Sequence, residues 1–170
     1  EELISFDTEI AVMVARSPHG QATSWTPTET VQEDGICTLT ISPAQNISPD
    51  LAEKAQKLAL DIAQEVGVVG VMAVEMFVRG DELYVNELAM RPHNSGHWTI
   101  DGATTSQFEN HLRAILDLPL GSTELLSKYV VTGALETDQN SDDYRPYLHL
   151  MARNPRLKFD QSIKQVGVAG

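Results

Sequence analysis

Cysteine occurs once in this chain, at Cys37, so no internal disulfide can form, and the composition fits a reducing compartment, read as the cytoplasm. Basic residues are scarce as well: twelve Lys and Arg stand against twenty-four Asp and Glu, a formal net charge of −12. Such a surface repels phosphate backbones, and no long basic cluster offsets it, which excludes a nucleic-acid partner. Long apolar runs are missing. The longest, Val66 to Val74, is interrupted by Gly67 and Gly70 and falls far short of a membrane span. No charged-then-apolar leader opens the sequence, which speaks against export. What is present is a 42% hydrophobic fraction over 170 residues, enough to bury the core of one domain with a small appendage. The chain opens at Glu1, without a methionine, and enters strand-like sequence almost at once, which reads as a piece of a longer protein.

Apolar residues fill nearly every position from Glu9 to Arg16, the pattern of a strand covered on both faces. Ser17-Pro18-His19-Gly20 is turn chemistry, and strands are predicted over 22–26 and 36–41 with a turn at Glu33-Asp34-Gly35, an antiparallel meander. Ser48-Pro49-Asp50 reads as a helix start. Leu51, Ala55, Leu58 and Ile62 follow at helical spacing, and Gly67 ends the helix. Strands over 68–78 and 83–89 flank a turn at 79–82. A second helix is predicted over 105–117 with Phe108, Leu112 and Ile115 on its buried face, then a strand over 128–135, a polar loop over 137–143 and a short helix near 146–153. Strands, helix, hairpin, loop and helix in that order describe an α+β layer, an antiparallel sheet covered by two helices.

The chemistry concentrates between Val74 and Thr99. Glu75 interrupts an apolar strand and Glu87, beside Asn86, lies in its hairpin partner. Buried carboxylates call for a cation, and oxygen ligands of this kind suit magnesium, which also binds phosphates and water. Taken alone, a Glu–hairpin–Glu pattern describes two solvated residues better. Arg91, His93, Asn94, Ser95 and His97 then crowd the next loop, with Gly96 admitting close backbone approach. The loop offers a guanidinium fork for an anion together with imidazole and amide groups. A His-x-x-x-His zinc site is the poorer reading, because Asn94-Ser95-Gly96 is a bad helix interior and no further cysteine or histidine is close in sequence. The spacing therefore supports a metal–phosphate site beside an anion-binding loop.

Glu75, then Asn86-Glu87-Leu88-Ala89, then Arg91-x-His93-Asn94-Ser95-Gly96-His97-Trp98-Thr99 resembles the signature of the 5-(carboxyamino)imidazole ribonucleotide synthases, a branch of the ATP-grasp superfamily. The likeness continues through Gly102-Ala103, Ser106-Gln107-Phe108-Glu109 and His111 to Ile115, and covers roughly residues 1–120. It implies that residues 1–122 are the C-terminal half of an ATP-grasp domain and 123–170 the start of a small, divergent C-terminal β domain. It also implies an enzyme of purine biosynthesis that uses ATP and Mg2+ to carboxylate 5-aminoimidazole ribonucleotide with bicarbonate through carboxyphosphate. Carried over singly, Glu75 and Glu87 match the magnesium ligands and Asn86 assists them. Glu1 and Ile4 match the adenine-contacting linker, and Glu9 the partner of the ribose hydroxyls. Arg91, His93 and Asn94 match residues around the reacting anion, while Ser95 and His97 are expected at the substrate. A homodimer is implied by the same resemblance.

Departures from the pattern matter. The family's glycine-rich lid, phosphate-binding lysines and N-terminal domain would precede Glu1, so the isolated piece is expected to be inactive. Its Pro-Arg-Pro-Gly-Arg-Lys-x-Gly-His segment is matched poorly by residues 158–167, where Lys164 and Gly167 are the remnants. The alternatives are another ATP-grasp carboxylate–amine ligase of purine synthesis, or a non-catalytic nucleotide-binding module. A formate-using relative would carry an aspartate at Asn94.

Overall fold

The computed structural model describes residues 3–33, 36–133 and 145–158, and the chain divides into two compact units, Glu1–Leu135 and Glu136–Gly170. Seven strands make one sheet: β1 (Thr8–Arg16), β2 (Ala22–Ser24), β3 (Thr28–Glu33), β4 (Ile36–Ser42), β5 (Gly70–Arg79), β6 (Glu82–Ala89) and β7 (Val130–Gly133). The order is β6-β5-β1-β3-β4-β7, with β2 pairing to the far end of β1, and every pairing is antiparallel. Where one strand is expected over 22–26, the structure has β2 and β3 in succession along the same edge of β1. Pro27, which lacks an N–H, separates them. The Asp34-Gly35 turn lies outside the described residues.

Helix α1 (Pro49–Glu65) starts as its sequence dictates: Ser48 Oγ accepts from the Leu51 N–H at 3.2 Å and proline occupies the first turn. It ends at Gly67, whose φ of 63° is open to glycine, with Gly67 and Val68 N–H returning to the Gln64 and Ala63 carbonyls. The buried line is Leu51, Ala55, Ala59 and Ala63, while Leu58 and Ile62 pack beside it, half-buried. Alanines on the contact line bring the helix axis close to the sheet. Beneath it lie Ile10, Val12 and Val14 of β1 with Met72, Val74, Met76 and Val78 of β5. Each large side chain removed from water there contributes about 1.5–3 kcal/mol.

The opposite face of the sheet is covered over only part of its length. Met13, Ala15, Trp25, Val71, Ala73, Ala89, Trp98 and Ala103 form its apolar cluster, beneath a 3-10 turn at Asn94–Gly96, the short helix α2 (Thr99–Gly102) and α3 (Gln107–Ile115). Helix α3 corrects the sequence expectation. Its buried residues are Gln107, Asn110 and Ala114, whereas Phe108, Leu112 and Ile115 are 41%, 56% and 44% exposed. Buried amides there meet exact complements: Asn110 bonds the Gly121 carbonyl and N–H at 3.2 and 2.8 Å, and Gln107 does the same to His93. Satisfied polar groups cost little to bury, so periodicity of apolar residues misjudges this face.

In the second unit the described residues form one helix, α4 (Arg145–Arg153). The loop over 137–143, Lys164 and Gly167 lie outside the described residues. Among the described residues no helix is long and apolar enough to cross a membrane.

Candidate active site

Residues directly opposed on neighbouring strands share a face of the sheet. Ala11 opposes Glu75 and Glu9 opposes Phe77 across β1 and β5, so Glu9 and Glu75 lie on the face away from α1. Across the hairpin, Glu87 opposes Glu75. A two-residue turn at Gly80-Asp81 pairs Arg79 with Glu82 and by itself would put those glutamates on opposite faces. The register shifts between Glu75 and Met76, with Val85 opposing Met76, which leaves Asn86 as the extra residue of a β-bulge. The bulge, and not an odd-length turn, is what brings the carboxylates together. Asn86 itself is exposed.

Like charges gathered on a half-buried face resist ionisation. Burial pushes the Glu75 carboxyl above its ordinary value, Glu9 and Glu87 push it further, and Arg91 opposes them. Glu9 is also pushed up by burial, with a hydrogen bond from Gln32 acting the other way. The electrostatics thus ask for a cation that the chain does not supply in full. No group of three or more His, Cys, Asp or Glu able to hold a metal occurs among the described residues. Two opposed carboxylates suit an ion such as Mg2+ that completes its shell with phosphate oxygens and water.

The loop after β6 adds directional groups. His93 Nε2 lies 3.2 Å from Glu75 Oε1, with both side chains largely buried. On the other side of the ring, Nδ1 is 2.9 Å from Ser95 Oγ and accepts from the Ser95 N–H at 3.4 Å. A backbone N–H can only donate, so Nδ1 is the acceptor and Nε2 carries the hydrogen toward Glu75. Burial, then Arg91, holds the ring below its ordinary value, in keeping with a neutral imidazole. Ser95, expected at the substrate, is 1% exposed and its hydroxyl is turned onto His93. Arg91 and Asn94 are exposed; the Arg91 Nη1 donates to the Pro92 carbonyl at 3.1 Å. His97 is half-buried, its ring centroid 5.9 Å from that of Phe108.

Toward the other end of β1 the same face carries groups that sequence spacing did not single out. Phe77, opposite Glu9, stacks on Phe6 with centroids 4.4 Å apart. Gln32 reaches Glu9, and the Cys37 thiol is pushed up by burial and then by Glu75 and Glu9. Thr30 and Thr40 continue the row, the Thr40 hydroxyl buried without a partner. Only the strand registers reveal this set, because its members are scattered along the chain. Ile4 is half-buried before β1, and Glu1 lies outside the described residues.

Two carboxylates on one hairpin, a third on the adjoining strand and a histidine-bearing loop beside them occur within a stretch that the ATP-grasp domain profile matches over residues 1–108. The chain belongs to the ATP-grasp family. Within that family it is 54% identical over 160 residues to the N5-carboxyaminoimidazole ribonucleotide synthase of Mycobacterium tuberculosis (strain H37Rv), covering 91% of this chain and 37% of that protein. The solved N5-carboxyaminoimidazole ribonucleotide synthetase from Thermotoga maritima matches with a TM-score of 0.73 and 40% identity over 82% of this chain and 37% of that one. The N5-carboxyaminoimidazole synthase of Aspergillus clavatus, solved with ADP and 5-aminoimidazole ribonucleotide, matches with a TM-score of 0.70 and 43% identity, covering 74% and 34%. The chain therefore spans little more than a third of the relatives it resembles. Its α+β architecture, an antiparallel sheet between helices, is that of these ATP-grasp neighbours.

Proposed function

We propose that this chain forms the C-terminal half of an ATP-grasp ligase that carboxylates 5-aminoimidazole ribonucleotide. In the longer protein, ATP and bicarbonate yield carboxyphosphate and ADP. The exocyclic amine of the ribonucleotide then takes the carboxyl group, phosphate leaves, and 5-(carboxyamino)imidazole ribonucleotide enters purine synthesis. The observation that carries this reading is the opposed Glu75–Glu87 pair with His93 on Glu75, in a segment 54% identical to an enzyme of that name.

In this reading Glu75 and Glu87 hold Mg2+, helped by Asn86. Bound there, the ion neutralises charge on the transferring phosphoryl group. The remaining roles belong to the chain itself. Glu9 accepts from the ribose hydroxyls, with Glu1 and Ile4 at the adenine. Arg91, exposed and donating to the Pro92 carbonyl of its own loop, is available as a fork for the bicarbonate-derived anion. His93 orients the anion and Glu75, Asn94 orients the amine, and His97 borders the substrate. Ser95 serves the substrate through His93. Residues 1–122 supply the ATP-grasp half and 123–170 begin the next domain. A cytoplasmic location and a homodimer belong to the same proposal, supported by the lone cysteine and by family resemblance.

The test uses the 170 residues joined to an ATP-grasp N-terminal half. ADP release should require both bicarbonate and 5-aminoimidazole ribonucleotide, and Arg91→Lys should slow it about a hundredfold or more with an unchanged melting curve. ATP turnover that ignores the ribonucleotide but responds to another amine or carboxylate would assign the chain to a different ATP-grasp ligase. The 170 residues alone should bind Mg-ADP weakly and turn over nothing.

A further inference from the structure

Gln107 opens α3 with its side chain fully buried, and the amide closes on a single residue of the site loop. The His93 N–H donates to Gln107 Oε1 at 2.8 Å, and Gln107 Nε2 donates to the His93 carbonyl at 2.8 Å. These are both of the backbone groups His93 possesses. A second tie runs through the same helix end: the Gln107 N–H donates to Thr99 Oγ1 at 2.9 Å, and the Thr99 hydroxyl donates to the Gly96 carbonyl at 2.6 Å. Gly96 packs against the amide so closely that a Cβ there would stand 2.7 Å from Gln107 Oε1.

With its backbone held, His93 keeps only its side-chain torsions, and the ring is gripped at both nitrogens, by Ser95 at 2.9 Å and Glu75 at 3.2 Å. We propose that Gln107 is a positioning residue: by engaging both backbone groups of His93 it sets the ring that orients Glu75. No charge is brought near the carboxylates in doing so, since a carboxamide is neutral and both of its ends are used. The consequence for cation binding rests on the reading of Glu75 and Glu87 as metal ligands. Groups that orient a metal's ligands typically change its affinity by about 10–100-fold when removed.

The 170-residue chain and Mn2+, as a paramagnetic substitute for Mg2+, suffice for the test. In the unsubstituted chain the His93 amide should exchange with solvent at least about a hundredfold more slowly than an open amide, as a buried hydrogen bond requires. Gln107→Met keeps the volume and removes both bonds. It should weaken Mn2+ binding about tenfold and shift the 15N resonances of the His93 ring, while α3 amides from Glu109 to Ile115 stay in place. A folded Gln107→Met variant with unchanged ring resonances and Mn2+ affinity would overturn the proposal. So would a His93 amide that exchanges freely in the unsubstituted chain, a measurement independent of whether any variant folds. Mn2+ binding indifferent to Glu75→Gln would instead sink the metal reading, with the exchange and ring measurements still deciding the role of Gln107.

Discussion

At the scale of single residues, Glu75 is the centre of the site's tension. Its carboxyl holds its proton more tightly folded than unfolded, so the folded state binds more protons over the interval above its ordinary value of 4.5. The stability it contributes therefore falls as pH rises through that interval. Glu75→Gln removes the repulsion and keeps an oxygen to accept from His93 Nε2. At pH 7 it should raise the unfolding free energy, and the gain should vanish toward pH 4. His93 works in the other sense: held below its ordinary value of 6.5, its contribution is complete above that pH and is lost as pH falls through it. Urea melts of both proteins from pH 4 to 8 check the pattern; a constant difference across that range would deny the coupling. Thr40 makes a second case. Its hydroxyl is buried and unpartnered, so Thr40→Val should stabilise the chain by about 1 kcal/mol instead of weakening it.

At the scale of elements, α3 shows how a helix can dock by amides and leave its apolar residues outside. Leu112→Asn, at a position 56% exposed, should change stability by less than about 0.5 kcal/mol. Asn110→Leu should cost about 1–3 kcal/mol, because the Gly121 N–H and carbonyl lose their partner. The opposite ranking in denaturant melts would mean that the apolar residues do carry the packing. Helix α1 was legible in the sequence, since its cap, its proline and its terminating glycine act within one turn of themselves. Its alanine contact line was less so. The distance between helix and sheet is settled by β1 and β5, which are remote in sequence.

At the scale of the molecule, the two apolar clusters and the seven strands found among the described residues lie in the Glu1–Leu135 unit. A chain ending at Leu135 should therefore unfold cooperatively with a melting temperature within a few degrees of that of the full 170 residues, as calorimetry would show. A broad or absent transition would mean that the second unit is needed for the first to fold. The site belongs to this same unit. It draws Glu9 from β1, Glu75 and Glu87 from the hairpin, and His93 from the loop that follows, all on the sheet face left uncovered by α1.

Local chemistry determined much of this from sequence alone. Helix α1 and the β5–β6 hairpin followed from caps, turns and periodicity, whereas β3 did not, and the Glu75–Glu87 and Arg91–His97 groups were visible as carboxylates in an apolar hairpin and a crowd of polar groups in the loop after it. Those are one-dimensional signals, because a carboxylate inside an apolar strand and a crowd of ionisable and amide groups in one short loop can be read along the chain. The tertiary structure alone decided which side chains meet. Only the bulge at Asn86 puts Glu87 on the face of Glu75 despite a two-residue turn, since one extra residue reverses the alternation of a strand. Only the docking of α3 makes Gln107 the partner of His93, fourteen positions away. Only strand register sets Glu9, Phe77 and Thr30 side by side. Such contacts depend on distances across the sheet that no spacing along the chain encodes.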